Sequence, residues 1–158
     1  MELRADLMPP VLDEWLVARL TKIAEEIDCG HPEKSLVQLA VFNKEAMTEF
    51  EFIDFQGIYG SQSHDVWVRK VLAKPYERRL KKVTKQELIE MARRVMEGDG
   101  PDHAIEFWLS MLEINIPNNR VSDLIFWPGE YFNDVNNSED LSPEQVIEIM
   151  LKDGKPFQ

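Results

Sequence analysis

Apolar residues recur at three- and four-residue spacing along most of the chain, which is the pattern of helices that bury one face. In the N-terminal half this spacing predicts a first helix over residues 13–28, with Asp13 as its cap and Gly30 as a left-handed stop. The apolar face of this helix consists of Leu12, Leu16, Leu20, Ile23 and Ile27. Pro32 suits the first position of a second helix, which we expect to run to about Met47.

The middle of the chain has a less regular pattern. Residues 48–56 alternate phenylalanines with acids, which is a strand period with one slip. This stretch is therefore either one short strand, near 48–55, or an irregular aromatic loop. A third helical stretch is predicted over 63–82, where Pro75 kinks or divides it.

The C-terminal half carries stronger helix-boundary signals. Thr84 and Glu87 have the spacing of a capping box, which predicts that a helix begins there, and Gly98 is suited to end it. A second helix is expected from about residue 101 until Pro117. After an aromatic segment and a polar loop, Ser142 and the residues that follow it form another capping-box signal for a last helix.

These patterns predict an all-α, mainly helical protein. The clearest boundary lies between Val83 and Thr84, where the charge balance shifts and a helix start is well marked. We therefore expect a helical N-terminal region, residues 1–83, whose role the sequence leaves open. Residues 84–158 are expected to form a separate helical module.

Charge changes this picture more than composition does. The chain has 158 residues with a globular balance of 44% hydrophobic and 30% charged residues, and its net charge is −11. Residues 1–83 hold 14 acids and 12 bases, whereas residues 84–158 hold 15 acids and 6 bases. Such a charge argues against binding nucleic acid or anionic lipid. It fits either attraction of a cationic partner or a solvated surface kept for solubility.

Part of this acidity is concentrated on one predicted helix. Asp102, Glu106 and Glu113 lie at positions i, i+4 and i+11, which places their side chains in one stripe on the outer side of the helix. We expect this stripe to be a candidate surface for a basic partner.

Motifs for catalysis and for metal binding are absent from the sequence. His31, His64 and His103 form no metal-ligand spacing, and no nucleophile elbow or phosphate loop occurs. Residues 133–140 lack the ladder of oxygen ligands that calcium needs. We expect no enzyme activity, metal or cofactor, although an enzyme that uses carboxylates for acid–base work stays as a rival.

The sequence also predicts a cytoplasmic location. The single cysteine, Cys29, fits a reducing compartment, and neither a secretory signal nor an apolar membrane span is evident. The sequence does not define the oligomeric state.

Residues 122–132 are unusually aromatic. Aromatic and acidic side chains alternate there, namely Asp123, Phe126, Trp127, Glu130, Tyr131 and Phe132. Aromatic side chains ringed by charge are typical of a binding hot spot, whereas the alternative is that they only close the helical core. We predict both, with Leu124 and Ile125 inward and with Phe126 and Trp127 at least partly outward.

The run at residues 122–128, S-D-L-I-F-W-P, resembles the S-D-L-I-Y-Y-P signature of the colicin and pyocin DNase immunity proteins. In that family a capped helix leads into an acidic second helix, the signature forms a very short third helix, and an acidic loop leads to a fourth. The elements predicted from Thr84 onward follow the same order. The closing D-G-K-P-F also resembles the family's N-G-K-P-G-F ending. The resemblance covers about 75 of the 158 residues, all in the C-terminal half.

This resemblance implies an immunity protein of four helices that binds a basic nuclease toxin beside its active site and excludes DNA. Transferred by position, Phe126 and Trp127 are the aromatic anchor pair and Asp123 is the signature acid that meets the partner. The second helix would select the toxin. Because its register against the family is not fixed, its residues are taken from the acidic stripe. The expected partner-binding residues are Asp102, Glu106, Glu113, Asp123, Phe126, Trp127, Glu130 and Tyr131.

Three departures from the family pattern are visible. Phe and Trp replace the two signature tyrosines, the loop at residues 129–140 is longer, and residues 1–83 have no counterpart. These departures leave open an alternative in which the chain is an immunity or adaptor protein for an unrelated partner.

Overall fold

The computed structural model describes residues 1–118, 120–134 and 140–153, and these ranges contain helices and no strand. The prediction of an all-α fold is confirmed. The α-helices are α1 (Glu14–Asp28), α2 (Leu36–Ala46), α3 (Ile58–Ser61), α4 (His64–Ala73), α5 (Lys85–Glu97), α6 (Asp102–Asn115), α7 (Val121–Phe126), α8 (Pro128–Tyr131) and α9 (Pro143–Asp153). Four short 3-10 helices accompany them, at Ala5–Leu7, Pro32–Lys34, Phe52–Phe55 and Lys74–Tyr76.

The chain divides into two compact units. One unit is Pro10–Lys74, and the other combines Met1–Pro9 with Pro75–Gln158. This division differs from the expected boundary between Val83 and Thr84, because residues 1–9 and 75–83 belong to the same unit as the C-terminal helices. Pro10–Lys74 is therefore an insertion between two parts of that unit. We call the unit that contains the C-terminal helices the C-terminal unit.

The unit Pro10–Lys74 is built around α1, against which α2 and α4 pack. Asp13 caps α1 as predicted, because its carboxylate accepts hydrogen bonds from the backbone N–H groups of Trp15 and Leu16 at 2.9 and 3.3 Å. The core of this unit combines aliphatic side chains with two buried phenylalanines, Phe42 and Phe55. The Phe42 ring meets Phe55 edge to face at 5.0 Å.

The prediction for Gly30 is wrong. Cys29 ends α1 in a right-handed conformation, and Gly30 has no positive φ. Glycine is required there by close approach instead, since a Cβ atom would lie 2.8 Å from Ser35 Oγ and 2.9 Å from the Glu26 carbonyl oxygen. The left-handed residue after a helix is Met47, which ends α2 at φ 57°.

The short strand that was one alternative near 48–55 is contradicted, because Phe52–Phe55 is a 3-10 helix. The side chain of Asn43 explains the turn. Its Oδ1 accepts from the Phe50 backbone N–H and its Nδ2 donates to the Phe50 carbonyl, both at 2.9 Å. Both backbone hydrogen-bonding groups of Phe50 are thereby used locally, and none is left for a neighbouring strand.

The helical stretch predicted over 63–82 ends early. Pro75 divides it as expected, since α4 stops at Ala73 and only a 3-10 turn follows. The backbone beyond the turn bonds to the buried side chain of Asn115 instead of continuing a helix. Asn115 Nδ2 donates to the Arg78 carbonyl at 3.1 Å, and its Oδ1 accepts from the Leu80 N–H at 2.8 Å. This long-range contact ties residues 78–80 to α6.

The helix boundaries predicted for the C-terminal unit are confirmed. Thr84 and Glu87 form the capping box of α5, and Gly98 ends that helix at φ 63°. Ser142 and Gln145 exchange the same two hydrogen bonds at the start of α9, at 2.8 and 3.2 Å. The helices α5, α6 and α9 pack together, and α7 packs on α6 and α9.

Residues 1–9 are part of this core and not a free tail. Leu7 is fully buried, and its carbonyl oxygen accepts a hydrogen bond from Trp108 Nε1 at 2.9 Å. The Arg4 guanidinium donates to the Lys82 carbonyl and to Glu87, both at 3.0 Å. Residues 1–9 thus pack against the helices of the C-terminal unit and cover part of its core.

A buried acid braces α5 from within. Glu90 is buried and accepts hydrogen bonds from Arg93 at 2.8 Å and from Arg94 at 3.0 Å. The Arg93 hydrogen bonds are the largest influence on this carboxyl group, and with those of Arg94 they lower its pKa from 4.5 to about 2 against the opposing effect of burial. The Arg94 guanidinium also lies over the ring of Trp108, at 4.9 Å from the centroid.

This network predicts an acid-sensitive fold. Since the folded pKa of Glu90 is depressed, its contribution to the free energy of unfolding is present above pH 4.5 and is lost as the pH falls towards 2. We expect that contribution to be roughly 2 kcal/mol, because partly exposed arginines reduce the full value of the shift. Urea unfolding of wild type and Glu90→Gln between pH 2 and pH 7 measures it. A stability difference between the two proteins that does not change with pH contradicts the role of Glu90.

Candidate partner-binding site

The aromatic segment forms a tight turn between α7 and α8. Val121 and Leu124 are fully buried and fix α7 on the core. Trp127 lies where the two helices meet, because its N–H donates to the Asp123 carbonyl at 2.7 Å and its carbonyl accepts from the Tyr131 N–H at 3.0 Å. The backbone of this turn is therefore held at both ends by hydrogen bonds.

The side chains of the turn divide as predicted into an inward and an outward set. Leu124 is buried and Ile125 is half-buried, whereas Phe126 and Trp127 are 50% and 61% exposed. Phe132 is 39% exposed and meets the half-buried Tyr131 ring edge to face at 5.1 Å. An aromatic surface of this size on a turn whose backbone is already fixed is suited to bury area against a partner.

A groove runs beside this aromatic surface. Trp127, Pro128 and Glu130 lie along one side of it, and Met96 and Glu97, at the end of α5, line it as well. The start of α9 contributes Leu141 and Pro143, and Asn133 and Asp140 also line it. The groove combines apolar walls with carboxylates, which matches a partner that presents apolar and cationic groups together.

The signature acid Asp123 is paired within the chain. Arg120 Nε lies 3.4 Å from Asp123 Oδ2, and both side chains are about half-exposed. The Arg120 guanidinium also lies over the ring of Tyr131, at 4.6 Å from the centroid. Asn118 donates to the Tyr131 hydroxyl at 3.1 Å. Arg120 thus occupies a place between an acid and an aromatic face.

The acids predicted on the second helix lie on α6. Asp102 and Glu106 are exposed and Glu113 is half-buried. None of the three is among the described residues that line the groove. The structure therefore brings Asp123, Phe126, Trp127, Glu130 and Tyr131 together on α7, α8 and the turn between them, and the α6 acids lie outside the lining of the groove.

Two residues of the site were not among the predicted ones. Arg120 and Phe132 complete the surface around Tyr131, one as a cation and one as an exposed aromatic. A signal for Arg120 was present in the sequence, since it is the only Lys or Arg in residues 98–147. Its pairing with Asp123 depends on the helical turn that separates them.

The described part of the chain contains neither a group of metal-ligating side chains nor a membrane-spanning helix. Within residues 1–118, 120–134 and 140–153, no three His, Cys, Asp or Glu side chains are grouped so as to hold a metal ion. No helix in the described part of the chain combines the length and the apolar character needed to cross a membrane. Most of the loop compared above with a calcium site lies at 135–139, outside the described residues.

The comparisons with known proteins agree with this geometry. Residues 80–153 match the family model described as colicin immunity protein and pyocin immunity protein. The uncharacterized protein YezA of Bacillus subtilis (strain 168) is 37% identical over 70 residues, which are 44% of this chain and 90% of YezA. The chain belongs to the colicin and pyocin immunity protein family. The resemblance expected from residues 122–128 is therefore confirmed. Among solved structures, none gives a significant match.

The family region coincides with only part of the C-terminal unit. The match begins at residue 80, in the segment held by Asn115, and it includes α5, α6, α7, α8 and α9. Residues 1–9 lie outside the match although they pack in the same unit. The insertion Pro10–Lys74 lies wholly outside it. Membership in the family thus accounts for the helices that carry the aromatic turn.

Proposed function

We propose that the protein is an immunity protein that binds a basic nuclease toxin and blocks its DNA-binding or active-site region. We expect this nuclease to be a DNase. The exposed pair Phe126 and Trp127 carries this proposal, because 50% and 61% of these side chains lie in solvent on a turn of an immunity-family fold. Under this proposal the protein acts by binding in the cytoplasm and has no catalytic role. Its acidic surface repels DNA and attracts the toxin.

The aromatic turn supplies affinity in this proposal. Trp127 has its backbone fixed by two hydrogen bonds before any partner arrives, so binding orders little more than the side chains. Large aromatic residues that lose most of their exposure in a complex dominate the binding free energy of many interfaces. Phe126 lacks the hydroxyl of the signature tyrosine, so its contribution to binding comes only from the area that its ring buries in the complex.

The α6 acids supply steering. Asp102, Glu106 and Glu113 lie on a stretch, residues 98–147, in which Arg120 is the only Lys or Arg. Charges that are exposed and outside the central contact raise the rate of encounter with an oppositely charged partner more than they slow dissociation. The same acids are well placed to discriminate among toxins with different basic surfaces.

Neutralising one α6 acid tests this division of roles. We expect Glu106→Gln to reduce the association rate constant about threefold and to flatten its dependence on salt, with little change in dissociation. Stopped-flow association at several salt concentrations measures both quantities. Glu33→Gln, which removes another exposed acid, in the unit Pro10–Lys74, is the matched control. Equal effects of the two variants contradict a specific role for α6.

Capture of the partner tests the proposed function itself. Tagged wild-type protein and Trp127→Ala are expressed in the native host, washed at moderate salt, and eluted at high salt for identification of bound proteins. The proposal expects a basic protein that is held by wild type, lost with Trp127→Ala, and active on DNA once the complex is denatured and the toxin refolded. A Trp127-dependent partner without nuclease activity instead supports an immunity or adaptor role toward an unrelated toxin. The insertion Pro10–Lys74, which the family match does not cover, is the place to search for such a second specificity.

A further inference from the structure

We propose that a cationic side chain of the toxin, a guanidinium or an ammonium group, binds between the Asp123 carboxylate and the Tyr131 ring by displacing Arg120. Arg120 is then an internal stand-in for the partner, and it keeps this place filled while the protein is free. The proposal rests on the proposed function, because it names the chemistry that the aromatic turn recognises in the toxin.

The geometry of Arg120 is that of a bound ligand. Its guanidinium lies 3.4 Å from Asp123 Oδ2 and 4.6 Å from the centroid of the Tyr131 ring. One face of the cation thus meets the π-system of an aromatic ring and one edge meets a carboxylate. Protein sites that bind arginine or lysine side chains combine these two features.

The place that Arg120 fills does not depend on its guanidinium. Asn118 donates to the Tyr131 hydroxyl at 3.1 Å and accepts from the backbone N–H of Arg120 at 3.0 Å. The Asp123 carbonyl accepts from Trp127 N–H at 2.7 Å, and the Trp127 carbonyl accepts from Tyr131 N–H at 3.0 Å. Backbone and amide contacts therefore hold both walls of the site, and they survive a change of the Arg120 side chain.

Displacement of Arg120 is inexpensive. The side chains of Arg120 and Asp123 are both about half-exposed. An ion pair that is so open to water is weakly held. The displaced guanidinium returns to solvent with its charge hydrated. In the complex, the contact at Trp127 already orders the backbone of the toxin residue. This residue then makes the same two interactions, with the Asp123 carboxylate and the Tyr131 ring. Because the interface excludes water, both interactions are stronger there.

Charge gives a second, independent reason. Arg120 is the only Lys or Arg in residues 98–147, and it lies at the signature run of a chain with net charge −11. A cation at the contact surface opposes a basic partner unless it leaves that surface or is exchanged. If the toxin's cation takes the place of Arg120 on binding, Arg120 can lie over Tyr131 in the free protein without opposing the basic partner in the complex.

The test compares two substitutions at one position. Arg120→Met keeps an unbranched side chain and removes the charge, so we expect it to bind the captured toxin about fivefold more tightly. Arg120→Lys keeps the charge but loses the planar guanidinium, so we expect a gain in affinity that is smaller than that of Arg120→Met. In Asp123→Asn the carboxylate is lost, so binding weakens and the gain from Arg120→Met disappears in the double variant. Weaker or unchanged binding by Arg120→Met overturns the proposal and shows that Arg120 positions the site or does not affect it.

A second measurement needs no toxin and separates this proposal from the proposed function. N-acetyl-argininamide is titrated at millimolar concentration while the Tyr131 ring resonances are followed by NMR. Arg120→Met is expected to give saturable shifts that are larger than those of wild type and absent in its combination with Asp123→Asn. If these shifts occur and no nuclease is captured, the cation site stands and the proposed function fails. If Arg120→Met gives no shifts, the cation site fails whatever the partner is.

Discussion

Truncation of Trp127 to alanine is expected to weaken toxin binding by at least about 30-fold, or about 2 kcal/mol, while the protein stays folded. The reason is that the side chain is 61% exposed in the free protein, so it contributes little to the core and much to any surface that covers it. Its backbone hydrogen bonds to Asp123 and Tyr131 are kept by alanine. Isothermal titration calorimetry with the captured nuclease domain measures the loss, and circular dichroism checks the fold.

An exposed tryptophan elsewhere in the chain provides the control. Trp15 on α1 is 69% exposed and belongs to the unit Pro10–Lys74. Trp15→Ala should leave the affinity within a factor of two, because the proposal places the contact on the α7–α8 turn. If Trp127→Ala instead unfolds the protein while the residual folded fraction binds normally, the side chain serves the core and not the partner.

Replacement of Leu7 by alanine is expected to lower the free energy of unfolding of the C-terminal unit by about 2–4 kcal/mol. Leu7 is fully buried although it lies more than 70 residues before the family match, and Trp108 donates its indole N–H to the Leu7 carbonyl. Alanine keeps that carbonyl and leaves a cavity in place of the isobutyl group. Hydrogen exchange of the α6 amides reports the unfolding of this unit separately from that of Pro10–Lys74.

The neighbouring Val11 is a matched control for Leu7. Val11 is fully exposed, and Val11→Ala should change the opening free energy that exchange of the same amides reports by less than about 0.5 kcal/mol. Equal protection of α6 in wild type and Leu7→Ala contradicts the role assigned to residues 1–9. We would then expect a fragment that starts near residue 80 to be as stable as the whole C-terminal unit.

Features that depend on near neighbours could be predicted from the sequence. The capping box of Thr84 and Glu87 and that of Ser142 and Gln145 are four-residue patterns, and both start helices where expected. The outward position of Phe126 and Trp127 followed from the same kind of reasoning. A six-residue helix that buries Leu124 has no second face with which to bury them.

Features that depend on distant partners could not be predicted. Gly30 looked like a left-handed stop, yet its reason is the close approach of Ser35 Oγ. The alternating pattern of residues 48–56 left a short strand and an irregular aromatic loop as alternatives, and the hydrogen bonds from the Asn43 side chain to Phe50 decide against the strand. The bonds from Asn115 to residues 78–80 and from Trp108 to Leu7 join positions 35 or more residues apart. No local pattern marks such pairs.

The candidate site divides in the same way. The signature run predicted the aromatic turn, and the acidic stripe predicted outward carboxylates on α6, of which Asp102 and Glu106 are exposed and Glu113 is half-buried. The structure added that the α6 acids do not line the described part of the groove beside Trp127. It also added the position of the Arg120 guanidinium over the Tyr131 ring, which is a contact between residues eleven positions apart. The proposal assigns affinity to the aromatic turn and steering to α6.

Inhibition of a nuclease is the most direct measurement of the central claim. The purified toxin domain is assayed on plasmid DNA while the immunity protein is added in steps at concentrations far above the dissociation constant. We expect activity to fall linearly and to vanish at one immunity protein per toxin. When the toxin is instead kept below the dissociation constant of wild type, half-inhibition by Trp127→Ala should need about 30 times more protein than half-inhibition by wild type. Undiminished cleavage of DNA by a toxin domain that is fully bound to this protein would contradict occlusion of the nuclease as its function.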